Sequence, residues 1–371
     1  MTSPIGRRSE KAVTKQPPAG GQSSMPKPRV ATGKGTSSTK ARATMAAAIA
    51  SSFPDGEASE NLVPRIRPVV IYPFIQPRNI ESLRILYSEL EKLSANPRYL
   101  KPTTVVNNQT RIRSTREDAN PELKDAFSTA MKEIVDVFSY KTDTWSVDTC
   151  AMWQRGLGDA YEHSKSHRAI HDVFWLIPGD FNYATAAGRS AAARMKRIPE
   201  SILDGKCQIC VGEIQVPLNS AKQLIDTYGT YGLLYNWFPA EAQGIRSCTD
   251  KPRTEFFAIS YEFLETILVE SRWFAYEQTL MILLQNMKGR VPVRKVGKIE
   301  LGLITDDEST RSTLSSAIQQ VERTERALKL FWREQAEREV RPNWQTEFRD
   351  LDAQSESIRT AAMVILRRLL G

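Results

Sequence analysis

Asp180 closes the run Val173-Phe-Trp-Leu-Ile-Pro-Gly-Asp, an apolar strand pattern that ends in a tight turn and presents one carboxylate. A carboxylate so placed can hold Mg2+ or Mn2+, hard cations that take oxygen ligands and neutralise phosphate oxygens. It can equally serve the turn itself or cap a following helix. Other reactive side chains also follow apolar runs. Pro73 and Gln76 come after Val69-Val-Ile-Tyr, Asn107 and Asn108 after Thr103-Thr-Val-Val, and Glu213 after Gln208-Ile-Cys-Val-Gly. Glu255 and Glu277 are further acids able to take a proton, with Arg253 and Arg272 as structural partners in the alternative reading.

His163, His167 and His171 are the only histidines and recur every fourth residue, which on a helix is one face. A zinc site of the His-Glu-x-x-His type needs a carboxylate that is missing here, and Lys165 and Arg168 crowd the stripe. An exposed helix face is the expectation. Cys207-Gln-Ile-Cys210 has Cys-x-x-Cys spacing but reads as part of a strand, where residues three apart face opposite ways. Buried, unlinked thiols are therefore expected. With Cys150 and Cys248 they make four cysteines, which without an export signal point to a reducing compartment.

Strand and helix patterns alternate along the middle of the chain. The strand-like run Arg67-Pro-Val-Val-Ile-Tyr leads into a helix with Ile80, Leu83, Leu86, Tyr87, Leu90 and Leu93 at helical spacing, with Asn79 as its N-cap. A second strand at Thr103–Val106, an amphipathic helix over Pro121–Phe138 and a third strand over Trp145–Trp153 follow. A helix over Ala160–His171 precedes the strand Val173–Ile177, and a helical Ile198–Leu203 precedes the strand at Gln208–Gly212. Helices are expected over Ala221–Phe238 and Glu262–Leu284, and a last strand at Val291–Gly297. This alternation predicts an α/β fold, a mostly parallel sheet with helices on both faces, and ligands in such sheets bind beyond the carboxyl ends of the strands. Two amphipathic helices, Thr313–Glu339 and Phe348–Leu370, are separated by Pro342 and form a C-terminal helical hairpin. It packs either on the core, the simpler placement, or on a second copy of the chain.

Arg155-Gly-Leu-Gly-Asp-Ala-Tyr followed by Pro178-Gly-Asp-Phe-Asn-Tyr resembles the Gly-Leu-Gly-x-Ala-Tyr and Asp-Ala-Asp-Phe-Ser-His segments of family 2 glycosyltransferases of the dolichyl-phosphate mannose synthase type. Val69-Val-Ile-Tyr-Pro-Phe-Ile-Gln-Pro-Arg-Asn-Ile and Thr104-Val-Val-Asn-Asn-Gln-Thr are similar to two further motifs of that family in the same order. So are Ile198 to Gly212, Pro252 to Glu265 and Phe274-Ala-Tyr-Glu277. The resemblance implies a GT-A, Rossmann-like fold that binds a nucleotide-diphosphate sugar and passes the sugar to a small or lipid-linked acceptor. It places the nucleoside at Pro73, Gln76, Asn107 and Asn108, the diphosphate at Arg155, the metal at Asp180, and the acceptor's base at Glu255 or Glu277, with Glu213 third. The family's acids are replaced by Gln76, Asn107, Asn108 and Pro178, so a relative that binds a sugar nucleotide or a protein partner without turnover is the alternative.

Residues 1–50 hold nine Lys or Arg against Glu10 alone, which leaves 42 bases and 42 acids elsewhere. The formal charge of +8 therefore belongs to a tail. That tail has no Leu and no aromatic residue before Phe53, too little apolar surface to offset the entropy of ordering, and residues 1–62 are expected to be disordered. Such a tail can touch nucleic acid or an anionic membrane surface, but charges so diluted read as a solvated spacer, and nucleic acid is the weaker choice. No run of about eighteen apolar residues spans a bilayer. A soluble cytoplasmic protein, peripheral at most, is expected, with a sugar-nucleotide domain over 63–300 and the helical hairpin over 301–371.

Overall fold

The computed structural model describes residues 63–73, 77–107, 121–134, 137–140, 149–217, 220–267, 277–289, 295–303 and 314–370. The expected disordered tail, Gln76, Asn108 and the Phe274-Ala-Tyr segment lie outside them. Strand β1, Ile66–Tyr72, is a nearly unbroken buried run, as expected where both faces of a strand are covered. Its side chains alternate between two cores. Val69 and Ile71 join one, and Ile66, Val70 and Tyr72 the other.

Helix α1 (Pro77–Ser94) leads to β2 (Thr103–Asn107), α2 (Pro121–Ile134), β3 (Val137–Tyr140), α3 (Thr149–Ser166) and β4 (Val173–Pro178). Next come α4 (Ala186–Arg194), α5 (Arg197–Leu203) and β5 (Ile209–Gln215). A single helical passage follows, α6 (Ala221–Leu224), a π-helical turn (Ile225–Thr230) and α7 (Tyr231–Trp237), then α8 (Pro239–Cys248). The chain continues as β6 (Phe257–Ser260), α9 (Tyr261–Leu264), α10 (Gln278–Lys288) and β7 (Val296–Leu303), and closes with the long helices α11 (Leu314–Arg338) and α12 (Trp344–Leu370). No described helix is long and apolar enough to cross a membrane.

The strands form one seven-stranded sheet in the order β3-β2-β1-β4-β6-β5-β7. All neighbours are parallel except β6, which runs against both β4 and β5. Helices cover both faces. Side chains of α3, α7, α8, α10 and α11 share a core with Val69, Leu176, Val211 and Phe257. Those of α1, α2, α4 and α5 share the opposite core with Val70, Trp175, Cys210 and Ala258. The fold is thus α/β with a Rossmann-like, mostly parallel sheet and a C-terminal helical extension. That extension joins the main core through Val321, Leu328, Phe331, Trp332 and Leu366, and β7 runs across residue 300.

Several local expectations are corrected. The helix expected over Pro121–Phe138 ends at Ile134, and Val137–Tyr140 is a strand pairing with β2. Of the strand expected over Trp145–Trp153, residues 149–153 begin α3 instead, whose Met152, Trp153 and Leu157 face the sheet, and residues 145–148 lie outside the described ones. Gly156 does not turn that helix. It lets the helix lie close, because a Cβ there would come within 3.2 Å of Val69, Ile71 and Val105 side-chain atoms. The helix stops at Ser166, and Arg168 adopts φ +54°, so His171 leaves the histidine face. His163 and His167 remain stacked and exposed. The last strand, expected over Val291–Gly297, is described at Val296–Leu303, and residues 291–294 lie outside the described ones.

Asp172, at the amino end of β4, is 1% exposed. Arg67 lies 2.5 Å from it, Ser164 Oγ donates to it over 2.9 Å and Arg65 stands at 3.7 Å. Removing one partner of a buried charge pair strands the others, so Asp172→Ala should lose about 3 kcal/mol of unfolding free energy. Urea titration at neutral pH measures this; a change within the error of the wild-type curve would show that the cluster does not secure β1 to β4.

Candidate functional site

From β1 the chain winds outward in one direction to β2 and β3 and in the other to β4. β1 is therefore the strand at which the winding changes direction, and ligands in such sheets usually bind beyond the carboxyl ends of the strands at a switch of this kind. Register fixes which residues stand there. Ile71 pairs with both Val105 and Pro178, and Tyr72 with Val106. Pro73, Asn107 and the Gly179-Asp180 turn therefore leave the sheet at one level of its carboxyl rim. Asn107 and Asp180 are two strands apart, roughly 10 Å at ordinary strand spacing. The Asn107 side chain and all of Gln76 and Asn108 lie outside the described atoms.

The Asp180 turn is built tightly. Gly179 N–H donates to Ile71 C=O over 2.8 Å, and a Cβ on Gly179 would meet the Tyr72 ring at 2.5 Å. Tyr72 cannot yield, since it is fully buried and its ring sits edge-on to Phe127 with centroids 5.1 Å apart. On the other side Asn79 Nδ2 donates to the Asp180 carbonyl over 3.4 Å, and Tyr183 N–H donates to Ser82 Oγ over 2.9 Å. Tyr183 Oη donates to the Pro178 carbonyl over 2.8 Å, and Thr185 caps α4 by accepting from Gly188 N–H. Asn79, expected to cap α1, lies inside a helix that begins at Pro77 and instead pins the aspartate's turn. Asp180 remains partly exposed.

Tyr183 senses the charge of two carboxylates. Burial above all pushes its phenol up, and the charges of Asp180 and Glu255 add to the effect. Glu255 reaches this rim because β6 is antiparallel, so its amino end lies beside the carboxyl end of β4. Glu255 is partly exposed, yet its surroundings desolvate it and push its pKa up, with Glu277 reinforcing the shift and Lys222, Arg323 and Arg253 opposing it. Lys222 is exposed but is likewise pushed down by desolvation, and Lys251 and Arg253 add to that.

The remaining acids are occupied. Glu277 is 5% exposed, lies 3.2 Å from Arg253 and 3.9 Å from Arg323, and accepts from Thr324 Oγ1 over 3.4 Å. It stands at the start of α10 rather than within a helix. Glu213 accepts from Thr249 Oγ1 and from Asp250 N–H and lies 3.5 Å from Lys298. Arg155 is on the exposed side of α3, 3.0 Å from Asp159. Among the described residues no three His, Cys, Asp or Glu side chains gather as a metal cage.

Helix α11 completes the cluster from the far end of the sequence. Its Val321 packs where Gly229 of the π-helical turn has no side chain, since a Cβ there would lie 2.8 Å from Val321 Cγ2. Docked so, the helix supplies Arg323 and Thr324 to Glu277 and Gln320 to Arg253. The same turn holds Asp226, buried and 3.1 Å from Lys251. Extra residues of this kind inside helices commonly accompany functional sites. Lys222, Arg323, Ser82 and Tyr183 were missed from sequence; Tyr183 alone had a signal, lying three residues beyond Asp180.

No family model matches the chain, and no curated protein matches it. Among solved structures, mannosyl-3-phosphoglycerate synthase from Rubrobacter xylanophilus aligns over 77% of this chain and 80% of its own, at 10% identity and a TM-score of 0.43. A likeness of that degree leaves fold and function to be decided by the chain's own residues.

Gly179→Ala should force the Tyr72 ring or the turn to move and destabilise the protein by about 2 kcal/mol. Thermal unfolding beside wild type reads this, and an unchanged midpoint would mean that the turn is not held against Tyr72. Glu255 yields a pH prediction. Its pKa is higher folded than unfolded, so between the two the native state binds more protons and stability falls as pH rises from the ordinary carboxylate range. Glu255→Gln should flatten that fall in urea midpoints measured from acid to neutral pH, whereas parallel wild-type and variant profiles would contradict the shift.

Proposed function

We propose that the chain is a divergent glycosyltransferase of GT-A type that binds a nucleotide-diphosphate sugar at the β1–β4 crevice. The observation that carries this reading is the common rim level of Pro73, Asn107 and the Asp180 turn, with Glu255 brought beside them by the reversed strand β6. The sequence resemblance assigns these positions to the nucleoside, the metal and the acceptor's base. In this reading amides at Gln76, Asn107 and Asn108 replace acids as nucleoside contacts, since an amide both donates and accepts.

Transfer must neutralise a departing diphosphate and take a proton from the acceptor. Glu255 is the base we favour over Glu277. It is partly exposed, and its raised pKa gives it more affinity for a proton than an ordinary carboxylate has. Glu277 holds Arg253 and Arg323 in place, and Glu213 is committed to the Thr249–Asp250 turn. Lys222, with the arginines behind it, supplies positive charge at the cleft. Arg155, assigned to the diphosphate by the resemblance, is tied to Asp159 on the outer face of α3, which argues against that role. For Mg2+ or Mn2+, Asp180 would give one oxygen and the donor's diphosphate the others, so cation and nucleotide would bind only together. The acceptor remains a small or lipid-linked molecule in this reading, met in the cytoplasm or at a membrane surface.

The lack of a three-ligand cage among the described residues favours a second reading, a GT-A-type protein that binds its nucleotide without turnover. One set of measurements separates the two. UDP-glucose or GDP-mannose with Mn2+ should raise the melting temperature of wild type, because a ligand of the native state stabilises it by mass action, and Asp180→Asn should abolish most of that rise. If donor turnover is detected and Asp180→Asn or Glu255→Gln lowers it at least about 100-fold, the transferase reading holds. Binding without turnover leaves the second reading, and no stabilisation by any sugar nucleotide removes both.

A further inference from the structure

The thiols of Cys207 and Cys210 do not point apart. A Cβ built on Gly297 would lie 2.7 Å from Cys207 Sγ and 3.1 Å from Cys210 Sγ, so both sulfurs flank one glycine of the neighbouring strand β7. The expected alternation fails because β5 begins only at Ile209. Cys207 precedes the strand, behind a turn in which Gly205 takes φ +70°, and both cysteines belong to the same face of the sheet. Gly297 makes the arrangement possible, since any side chain there would occupy the space of the sulfurs.

The two thiols differ in access. Both are buried, but Cys210 is 0% exposed whereas Cys207, at 6%, borders a surface hollow of about 360 Å³. Arg197, Lys206, Lys295 and Lys298 border the hollow; Glu200 and Asp204 border it too, and Lys206 pairs with Asp204 at 2.7 Å. The hydrogen bond from Cys210 above all, then the Gly297 N–H and the Lys295 and Lys206 charges, hold the Cys207 thiol below its usual range although it is buried. The same hydrogen bond and burial push Cys210 up. A thiol with more thiolate character at the edge of a hollow, beside a fully enclosed one, is the division of labour of thiol–disulfide exchange. No third metal-binding side chain joins the pair among the described residues, which argues against zinc.

We propose that Cys207 and Cys210 are a reactive dithiol that low-molecular-weight disulfides oxidise to an internal disulfide, at the rim of the sheet opposite the candidate site. Cys207 thiolate attacks one sulfur of the disulfide RSSR, forming a mixed disulfide and releasing RS−. Cys210 gives up its proton and attacks Cys207 Sγ, the mixed disulfide breaks and a second RS− leaves. Both released thiolates take up the protein's two thiol protons, so two cysteine thiols are oxidised and one RSSR is reduced to two RSH. The proposal does not depend on the sugar-nucleotide reading.

The test uses the full reduced chain, treated with oxidised glutathione at neutral pH, unfolded, alkylated to cap remaining thiols and cut with trypsin. Cleavage after Lys206 and Lys222 leaves both cysteines on one peptide. In wild type that peptide should lose two hydrogens and escape alkylation, and should do so faster than partly exposed Cys248 gains glutathione. Cys210→Ser should stall at a glutathione adduct on Cys207, and Cys207→Ser should leave Cys210 free for alkylation. A wild-type peptide still alkylated at both cysteines once Cys248 has reacted would overturn the proposal, as would glutathione attached first to Cys210.

Discussion

One backbone hydrogen bond organises the candidate site: Gly179 N–H extends the pairing of β4 with β1 a step beyond the last strand residue, onto Ile71 C=O. It draws the chain so close to Tyr72 that only glycine fits. The turn must then bend outward at once, and the next residue is Asp180. Asn79 and Ser82 of α1 catch the turn from the other side. The turn's position is thus set by packing on the fully buried Tyr72 and by bonds to main-chain atoms.

Electrostatics divides the acids of this rim into two kinds. Glu213 and Glu277 are buried and engaged by hydrogen bonds and cations, and a charge so held serves the structure. Asp180 and Glu255 keep contact with solvent, and Tyr183 feels both. The positive side comes from distant stretches of chain, Lys222 before the π-helical turn, Arg253 before β6 and Arg323 on α11. The long C-terminal helix is therefore part of the site's electrostatics as well as of the core, because Gly229 lets it approach and its Arg323 and Thr324 converge on Glu277.

Much of this was readable in the residues. Strands buried on both faces announce themselves as apolar runs, which located β1, β2, β4 and β5, and the 3.6-residue pattern with Pro342 between gave α11 and α12 nearly to their ends. Three things were hidden for physical reasons. Strand β6 is four residues long, too short to show alternation, and its reversal is decided by pairing with β4 and β5, which no local pattern encodes; with it went the reason Glu255 reaches the rim. Strand β3 continues the apolar spacing of α2 and so looked like the helix. Trp145 to Trp153 has the β-branched and aromatic content of a strand, but Gly156 and Leu157 let its second half continue as a helix against β1. Lys222 and Arg323 had no motif at all, because their roles exist only through tertiary contact.

Hydrogen exchange by mass spectrometry with and without UDP-glucose and Mn2+ addresses the central claim most directly, that the Asp180 turn, the end of β1 and the approach to β6 form one nucleotide-binding crevice. The account predicts protection in peptides covering 71–82, 178–185 and 253–257 that rises together along a single binding curve. Protection confined to the hollow between α4 and β7, around Ser190 and Gly302, or absent from the Asp180 turn while the ligand is bound, would contradict it.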